Sequence, residues 1–347
     1  SFGTLLTSLC IGEIAYSAAG PADNNPSQTV HTADTSDTSD TSGKSEVSTT
    51  TDPVLQTSIF PALTGNILLD SLRAAYAPDV VYNYNAARDY MFSDVENNSG
   101  VVECIYTGRT IQINPESGNP RGDAYNDGNE VSFNTEHIYP QSKGASESPA
   151  RSDLHHLRAA YGNVNSSRGN LPFGVLDPGN VNRWWYYDSD ADTYSQETTP
   201  DGDLGLWSRT GSTSFQPRDK NKGDVARAAF YFYMMYETAA YEADPAFFTG
   251  MMDELLSFHD ADPIDATEVT RNNRINEIQG NLNPFITDTT LIRRAFFQDF
   301  DPNEGAEPTP RSQSTSITNP SHRTEWATYT GRHLVGTRQH ADWNPSW

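Results

Sequence analysis

Cysteine and long apolar runs are scarce in this chain of 347 residues. With only two cysteines, Cys10 and Cys104, it can form neither a disulfide-rich scaffold nor a four-cysteine zinc site. No apolar run approaches the roughly 18 residues of a membrane-spanning helix, so we do not expect an integral membrane protein. Hydrophobic residues make up only 35% of the chain, but an aromatic share of 11% still allows a sizeable core.

Positive charge is scarce as well. The 23 lysines and arginines stand against 46 aspartates and glutamates, which gives a formal net charge of −23. Only four of those cations are lysines. A field of this sign should not attract polyanions to the whole surface. Acidic, lysine-poor surfaces stay hydrated at high ionic strength, so we expect a salt-adapted protein.

Composition divides the chain into four regions. In residues 1–19, an apolar stretch followed by small residues predicts the remnant of a secretory signal, and hence a secreted, extracellular or periplasmic protein. Residues 20–53 are rich in Ser, Thr and Asp, which predicts a disordered linker. Residues 54–301 carry the periodic patterns of a folded domain, and residues 302–347 indicate a weakly ordered tail.

Three patterns within 54–301 predict individual elements. Residues 224–242, rich in Ala, Phe, Tyr and Met, predict a buried helix. Residues 101–106 predict a strand that Thr107 and Gly108 close. A further helix is predicted by apolar residues that would share one buried face: Leu63, Ile67, Leu68, Leu72 and Ala75.

Three neighbouring segments carry the chemistry: Phe133–Ser142, Ser152–Arg158 and Asn163–Phe173. Phosphodiester hydrolysis needs a base to activate water, a cation to hold the phosphate and stabilisation of the leaving oxygen. An imidazole beside a carboxylate, with amide oxygens from a nearby helix, can supply the base and hold the cation. Hard oxygen ligands of this kind suit Mg²⁺ better than Zn²⁺.

At these segments the sequence resembles the endonuclease I family, the extracellular and periplasmic nucleases with a ββα-metal core. Three further segments agree in the family's order: Tyr106–Gly108, Lys222–Tyr231, and Arg271–Ile275 with Gln279–Phe285. The resemblance covers roughly residues 55–300. It implies an α+β fold class, with one mostly helical catalytic domain at 54–301 around a ββα-metal core.

Carried over residue by residue, the resemblance implies that His137 is the general base. It implies Mg²⁺ as the cofactor, with Mn²⁺ or Ca²⁺ as substitutes, bound by Glu136 and Asn165. His156 takes a supporting catalytic role. Adjacent strand residues point to opposite faces, so Glu136 and His137 can share one site only at a strand end or a bulge.

The family also uses an arginine near the leaving group. Arg151, Arg158 and Arg168 are candidates, and the sequence does not choose between them. We place Arg168 among the catalytic residues, and the alternative is a structural arginine that pairs with a carboxylate.

The expected substrate is DNA, with RNA as a second candidate, cleaved without sequence preference by a monomer that leaves 5′-phosphates. Residues 131–230 hold ten bases and twelve acids, so the acid load lies mostly elsewhere and leaves room for a local basic face. Two alternatives stay open. One is a zinc-dependent hydrolase using His137, His155 and His156, which zinc content would reveal. The other is a non-catalytic module that binds nucleic acid or a surface, which would show no EDTA-sensitive plasmid nicking.

Overall fold

The computed structural model describes residues 58–125, 132–188 and 193–303. The predicted signal remnant at 1–19, the linker at 20–53 and the tail from residue 304 onward lie outside the described residues and stay predictions. Within the described ranges, no helix combines the length and the apolar character needed to cross a membrane.

Helices and small antiparallel sheets together confirm the predicted α+β class. The helices are α1 (Gly65–Ala75), α2 (Tyr84–Tyr90), α3 (Pro120–Tyr125), α4 (Gly162–Arg168), α5 (Lys222–Ala243), α6 (Pro245–Thr249), α7 (Met252–Ala261), α8 (Ala266–Gln279), α9 (Pro284–Thr287) and α10 (Leu291–Phe296). The strands are β1 (Asn97–Asn98), β2 (Val101–Glu103), β3 (Thr110–Gln112), β4 (Phe133–His137), β5 (Leu157–Tyr161), β6 (Val181–Asp188), β7 (Thr193–Gln196), β8 (Ser208–Gly211) and β9 (Phe215–Gln216).

The strands form three separate sheets, and the middle one belongs to the ββα unit. The sheet orders are β1-β2-β3, β4-β5 and β7-β6-β8-β9. In the two-stranded sheet, β4 and β5 pair antiparallel, with Glu136 opposite Arg158 and His137 opposite Leu157. Helix α4 follows β5 directly. The β4–β5–α4 unit is the ββα arrangement that the resemblance implied.

Helix α5 runs through the hydrophobic core. Its residues from Val225 to Met234 are all buried, which confirms the buried helix predicted over 224–242. Aromatic rings carry much of the packing: Tyr233 stacks on Phe248 with ring centroids 3.8 Å apart, and Tyr139 stacks on Phe232 at 4.2 Å. Burial of such large side chains is the main source of stability for a chain with few other hydrophobic residues.

The strand predicted over 101–106 is shorter than expected. Strand β2 ends at Glu103, because the chain turns at Cys104. The turn is closed by a hydrogen bond of 3.0 Å from the Gly108 nitrogen to the Cys104 carbonyl. Gly108 adopts a φ of 77°, which residues with a side chain rarely adopt.

Helix α1 is present as predicted, but its buried face is rotated. Leu68, Leu69 and Leu72 face the core, whereas Ile67 is 70% exposed. Three successive apolar residues, from Ile67 to Leu69, fit more than one helical stripe, and the sequence pattern included Ile67 where the structure buries Leu69.

Candidate active site

His137 is the last residue of β4, and the backbone of the β4–β5 connection orients its ring. Its Nε2 lies 3.1 Å from the carbonyl oxygen of Arg151, which can only accept a hydrogen bond. Nε2 therefore carries the proton, and Nδ1 carries the lone pair. Nδ1 lies 3.5 Å from the side-chain nitrogen of Gln141, at the limit of a hydrogen bond. This tautomer gives His137 the acceptor nitrogen that a general base requires.

The surroundings of His137 keep its ring neutral. Burial, followed by the neighbouring His156, lowers the pKa of His137 to about 3. The rings of Tyr84 and His156 pack against it, with centroid distances of 5.5 and 5.3 Å. At pH 7 the residue is an uncharged imidazole held in one orientation.

Glu136 is buried and held through one of its two oxygens. Oε1 accepts a hydrogen bond from the Tyr106 hydroxyl at 2.7 Å and lies 3.2 Å from Nη1 of Arg168. Burial raises the pKa of Glu136, and the Arg168 guanidinium and the Tyr106 hydroxyl oppose that shift. Among the residues that the structure describes, none donates a hydrogen bond to Oε2. The carboxylate thus has one fixed oxygen and one available for a ligand.

Helix α4 brings Asn165 to the strand segment that carries Glu136. The Asn165 side-chain nitrogen donates to Oδ1 of Asn134 at 2.6 Å and to the carbonyl of Thr135 at 3.2 Å. These two bonds fix the amide, and its Oδ1 has no hydrogen-bond donor within the described ranges. Glu136 and Asn165 each keep one oxygen for another partner.

These two oxygens fit the donor set that the sequence predicted for Mg²⁺. Carboxylate and amide oxygens are ligands that hard divalent cations prefer. The described residues contain no group of three or more His, Cys, Asp or Glu side chains placed to hold a metal. A cation bound by Glu136 and Asn165 would therefore take most of its ligands from water and substrate, which Mg²⁺ tolerates well.

Arg168 is buried beneath the site. Its Nη1 donates to the carbonyl of His137 at 3.0 Å and its Nη2 to that of Ile138 at 2.7 Å, in addition to the contact with Glu136. Its exposed fraction is 1%. The guanidinium ties α4 to the end of β4, and its burial favours the structural alternative over contact with a leaving group.

The three histidines proposed for zinc binding do not converge on one point. His155 and His156 are buried, and burial lowers the pKa of each to about 4. Each ring directs Nε2 to a different backbone carbonyl: His137 to Arg151 at 3.1 Å, His155 to Asn281 at 3.3 Å, and His156 to Ala150 at 2.6 Å. This geometry does not support the zinc alternative.

The remaining arginine candidates differ in their partners. Arg158 is buried and contacts Glu96 at 2.9 Å and Asp224 at 3.3 Å. Arg151 is half-buried, with its guanidinium carbon 4.3 Å from the centre of the Tyr84 ring. The Arg151 carbonyl accepts the hydrogen bond from His137, so Arg151 lies beside the site. Its guanidinium forms no ion pair with any described residue.

Helix α2 contributes two side chains that the sequence motifs did not reveal. Tyr84 and Arg88 lie one helical turn apart, and the Arg88 guanidinium carbon is 5.3 Å from the Tyr84 ring centre. The Nε of Arg88 donates to Oγ1 of Thr135 at 3.1 Å. The spacing of four residues indicates a shared helix face, but nothing in it points to β4.

A cavity of about 320 Å³ lies outside this site. Its charged groups pair with each other or with backbone carbonyls, as in the contact of Arg271 with Glu96 at 2.7 Å. The charged residues that line it are Glu96, Arg158, Asp224, Glu268, Arg271 and Arg274. This cavity contains none of the residues placed at the site.

The profile of the endonuclease I family matches residues 64–290, which is more than half of the chain and includes the whole β4–β5–α4 unit. The chain belongs to the endonuclease I family. Members of this family are typically metal-dependent.

Two curated relatives are similar to this endonuclease I family member over about half of its length. An extracellular ribonuclease of Bacillus amyloliquefaciens is 34% identical over 185 residues, which are 48% of this chain and 54% of the relative. An extracellular ribonuclease of Bacillus subtilis (strain 168) is 35% identical over 181 residues, which are 46% and 53% of the two chains. The chain thus spans about half the length of the curated relatives it matches.

Proposed function

We propose that the chain is a secreted, metal-dependent endonuclease that hydrolyses phosphodiester bonds of DNA and RNA with little sequence preference. The observation that carries this proposal is the neutral His137, whose acceptor nitrogen Nδ1 lies in a ββα unit together with two oxygen donors. Secretion is supported by the extracellular ribonucleases to which the chain is similar.

In this proposal, Nδ1 of His137 takes the proton from the attacking water. The bond from Nε2 to the Arg151 carbonyl then stabilises the resulting imidazolium, because that carbonyl accepts a stronger hydrogen bond from a charged ring. Neutrality at pH 7 is essential, since a protonated ring has no lone pair for the proton.

Among the three arginine candidates, we assign the contact near the leaving oxygen to Arg151. Arg158 is engaged by two carboxylates, and Arg168 by Glu136 and two carbonyls. Arg151 combines partial exposure with a direct backbone link to His137. Its charge would offset the negative charge that develops on the leaving oxygen.

Glu136 and Asn165 would hold Mg²⁺, with Mn²⁺ or Ca²⁺ as substitutes. When bound, such a cation neutralises phosphate charge and stabilises the leaving oxygen. Arg168 and the buried His156 act as positioning residues in this proposal. Arg168 fixes Glu136 and the end of β4, and His156 packs behind the ring of His137.

The decisive experiment measures cleavage of supercoiled plasmid and of a labelled RNA with and without EDTA. His137→Ala should lower the rate about 10²–10⁴-fold, the usual contribution of a positioned base. His259→Gln is the matched control, since His259 is also buried but contacts Arg227 and the Thr289 carbonyl. A rate within about tenfold of wild type for His137→Ala, below that range, would contradict the assignment.

The product ends separate this mechanism from one that uses the ribose hydroxyl. Attack by water activated at His137 needs no 2′-hydroxyl, so DNA and RNA should both be cleaved and leave 5′-phosphates. Cleavage of RNA alone, with cyclic phosphate ends, would contradict the proposal. Binding without cleavage under all metal conditions would favour the non-catalytic module.

A further inference from the structure

Two cationic side chains contact one aromatic ring beside His137. The guanidinium carbons of Arg88 and Arg151 lie 5.3 and 4.3 Å from the centre of the Tyr84 ring. The His137 ring centre lies 5.5 Å from the same point. The base and both guanidinium groups are therefore gathered around Tyr84, although α2 is distant in sequence from β4 and the β4–β5 connection that follows it.

Tyr84 and Arg88 of helix α2 both contact Thr135 of strand β4. Arg88 donates from Nε to Oγ1 of Thr135, and the Tyr84 hydroxyl also interacts with Thr135. Thr135 lies two residues before His137 in β4, so the two side chains share one face of the strand. The orientation of Arg88 is thus set on the same strand face that presents the base.

The charge of this cluster is unusual for so acidic a protein. In the part of the chain that the structure describes, most arginines form ion pairs, for example Arg73 with Glu237 at 2.6 Å and Arg294 with Asp288 at 3.7 Å. Neither Arg88 nor Arg151 pairs with a carboxylate of the described residues. Both are half-buried, and leaving a partly desolvated charge without a counterion costs stability unless an anion arrives to pair with it.

The contacts of Arg88 with the described residues leave its two terminal nitrogens available. Its bond to Thr135 uses Nε alone, and its guanidinium carbon lies 5.3 Å from the centre of the Tyr84 ring. A guanidinium oriented in this way presents a planar pair of donors, which suits a phosphate. A strand whose scissile phosphate reaches His137 would pass within reach of those donors.

We infer that Arg88, oriented by Tyr84 and Thr135, binds a phosphate of the nucleic-acid strand next to the scissile one. This inference rests on the proposed function and extends it from the reacting groups to the substrate backbone. Arg88 is then a substrate-binding residue, and Tyr84 is the positioning residue that holds Arg88 and Arg151 at one place.

The test combines kinetics with binding at several salt concentrations. Arg88→Gln should raise KM about tenfold, the usual size of one lost charged hydrogen bond, and leave kcat within about threefold. Binding of a fluorescent oligonucleotide is measured in the His137→Ala background, where cleavage should be too slow to interfere. There, Arg88→Gln should reduce the slope of log Kd against log salt by about one, as expected for the loss of one phosphate contact.

Three further variants separate substrate binding from a general effect of charge or folding. Arg88→Lys should recover part of the lost affinity. Tyr84→Ala should raise KM as Arg88→Gln does and should also lower kcat, because Tyr84 positions Arg151 as well. Arg293→Gln is the matched control, because it removes the same charge from α10, where Arg293 pairs with Asp260. It should change neither KM nor the salt slope. Thermal unfolding of each variant verifies that the fold is kept.

The results that would contradict the inference about Arg88 differ from the result that would contradict the proposed function. An unchanged salt slope for Arg88→Gln, or a loss of kcat at constant KM, would overturn the inference, because either shows that Arg88 does not hold substrate. If wild-type protein cleaves neither DNA nor RNA, the proposed function fails. The salt slope of oligonucleotide binding still decides the role of Arg88 in that case.

Discussion

One residue, Arg151, serves the site with two chemically different groups. Its carbonyl accepts the Nε2 proton of His137, and its half-buried guanidinium lies against Tyr84. The short 3₁₀ segment Ala150–Ser152 therefore both fixes the tautomer of His137, the proposed base, and brings a guanidinium beside it. Any backbone shift in this segment would move both, so mutations near it should affect activity more than their own contacts suggest.

At Glu136 and Asn165 we expect a change in metal dependence rather than a simple loss of rate. Glu136→Gln replaces a charged oxygen donor with a neutral amide oxygen, and Asn165→Ala removes a neutral donor. Each should raise the Mg²⁺ concentration for half-maximal activity, because each weakens the set of oxygen donors that a hard cation prefers. Titration of plasmid cleavage with MgCl₂ measures both effects.

Asn170→Ala is the matched control for this titration. Asn170 is exposed just after α4, and its side chain contacts only Oγ of Ser142 among the described residues, at 3.3 Å. Its titration curve should superimpose on that of the wild type. Wild-type curves for Glu136→Gln and Asn165→Ala would show that neither residue is a ligand.

At the scale of elements, Asp153 joins the β4–β5 connection to α5 and α8. Its Oδ2 accepts from the hydroxyls of Tyr231 at 2.9 Å and Tyr236 at 2.7 Å, and its Oδ1 from Gln279 at 2.9 Å. The backbone nitrogen of His155 adds a fourth bond at 3.0 Å. Burial raises the pKa of Asp153, but the neighbouring His155 and His156, followed by the bonds from Gln279 and the His155 nitrogen, bring it below its ordinary value.

Removing the Asp153 side chain should strongly lower the free energy of unfolding. Asp153→Ala leaves two buried hydroxyls and an amide without their acceptor, and we expect a loss of about 3–5 kcal/mol in the free energy of unfolding. Asp260→Ala, at an exposed pair with Arg293, should cost no more than about 1 kcal/mol. Urea unfolding of the two variants gives the comparison, and equal losses would contradict the role assigned to Asp153.

The elements that depend on local pattern were predictable from the sequence. The buried helix α5 follows from its run of Ala and aromatic residues, and the order β4, β5, α4 was implied by the resemblance to the endonuclease I family. The role of Gln279 was less visible. It lies in a segment that the resemblance identified, but only the fold shows that it binds Asp153 and the backbone of Leu154.

The contacts that complete the site come from residues far apart in sequence. Tyr84 and Arg88 reach His137 and Thr135 across about 50 positions, and nothing in the pattern of α2 specifies which strand it packs against. The choice among the three candidate arginines also depends on contacts between residues that are far apart in sequence. Burial and ion pairing distinguish Arg151 from Arg158 and Arg168, and neither property is visible in the sequence.

For the whole molecule, buried histidines predict sensitivity to acid. Burial lowers the pKa of His155 and of His156 to about 4, against an ordinary value of 6.5. Between these values the unfolded chain binds protons that the folded protein does not, so stability is full above about pH 6.5 and falls toward pH 4. At pH 5.0 each histidine should cost about 2 kcal/mol relative to pH 7.5.

The variant His155→Gln isolates one of these contributions. Glutamine can still donate to the Asn281 carbonyl that His155 contacts, but it does not titrate. The difference between variant and wild type cancels other groups, including Glu268, whose pKa burial raises to about 7. Urea unfolding at the two pH values should show a smaller acid loss in the variant, and an equal loss would contradict the prediction.

The charge of the whole molecule predicts how nuclease activity responds to salt. A net charge of −23 repels nucleic acid at low ionic strength, where the Debye length is about 30 Å at 0.01 M. Near about 0.5 M the same repulsion is screened within a few ångströms. Added salt also weakens contacts between arginines and phosphates. In a strongly basic nuclease this second effect dominates, and activity falls steadily as salt rises.

In this protein we expect the screening of charge repulsion to outweigh the weakening of contacts between arginines and phosphates. Most arginines of the described ranges are already paired with carboxylates, so few remain for phosphate contacts that salt would weaken, mainly the contacts proposed for Arg88 and Arg151. The repulsion from the acidic surface is large by comparison. We therefore expect plasmid cleavage at saturating Mg²⁺ to rise with NaCl to an optimum at moderate or high concentration. Cleavage that is fastest without added salt and declines from there would show that local contacts, and not the net charge, control the approach of the substrate.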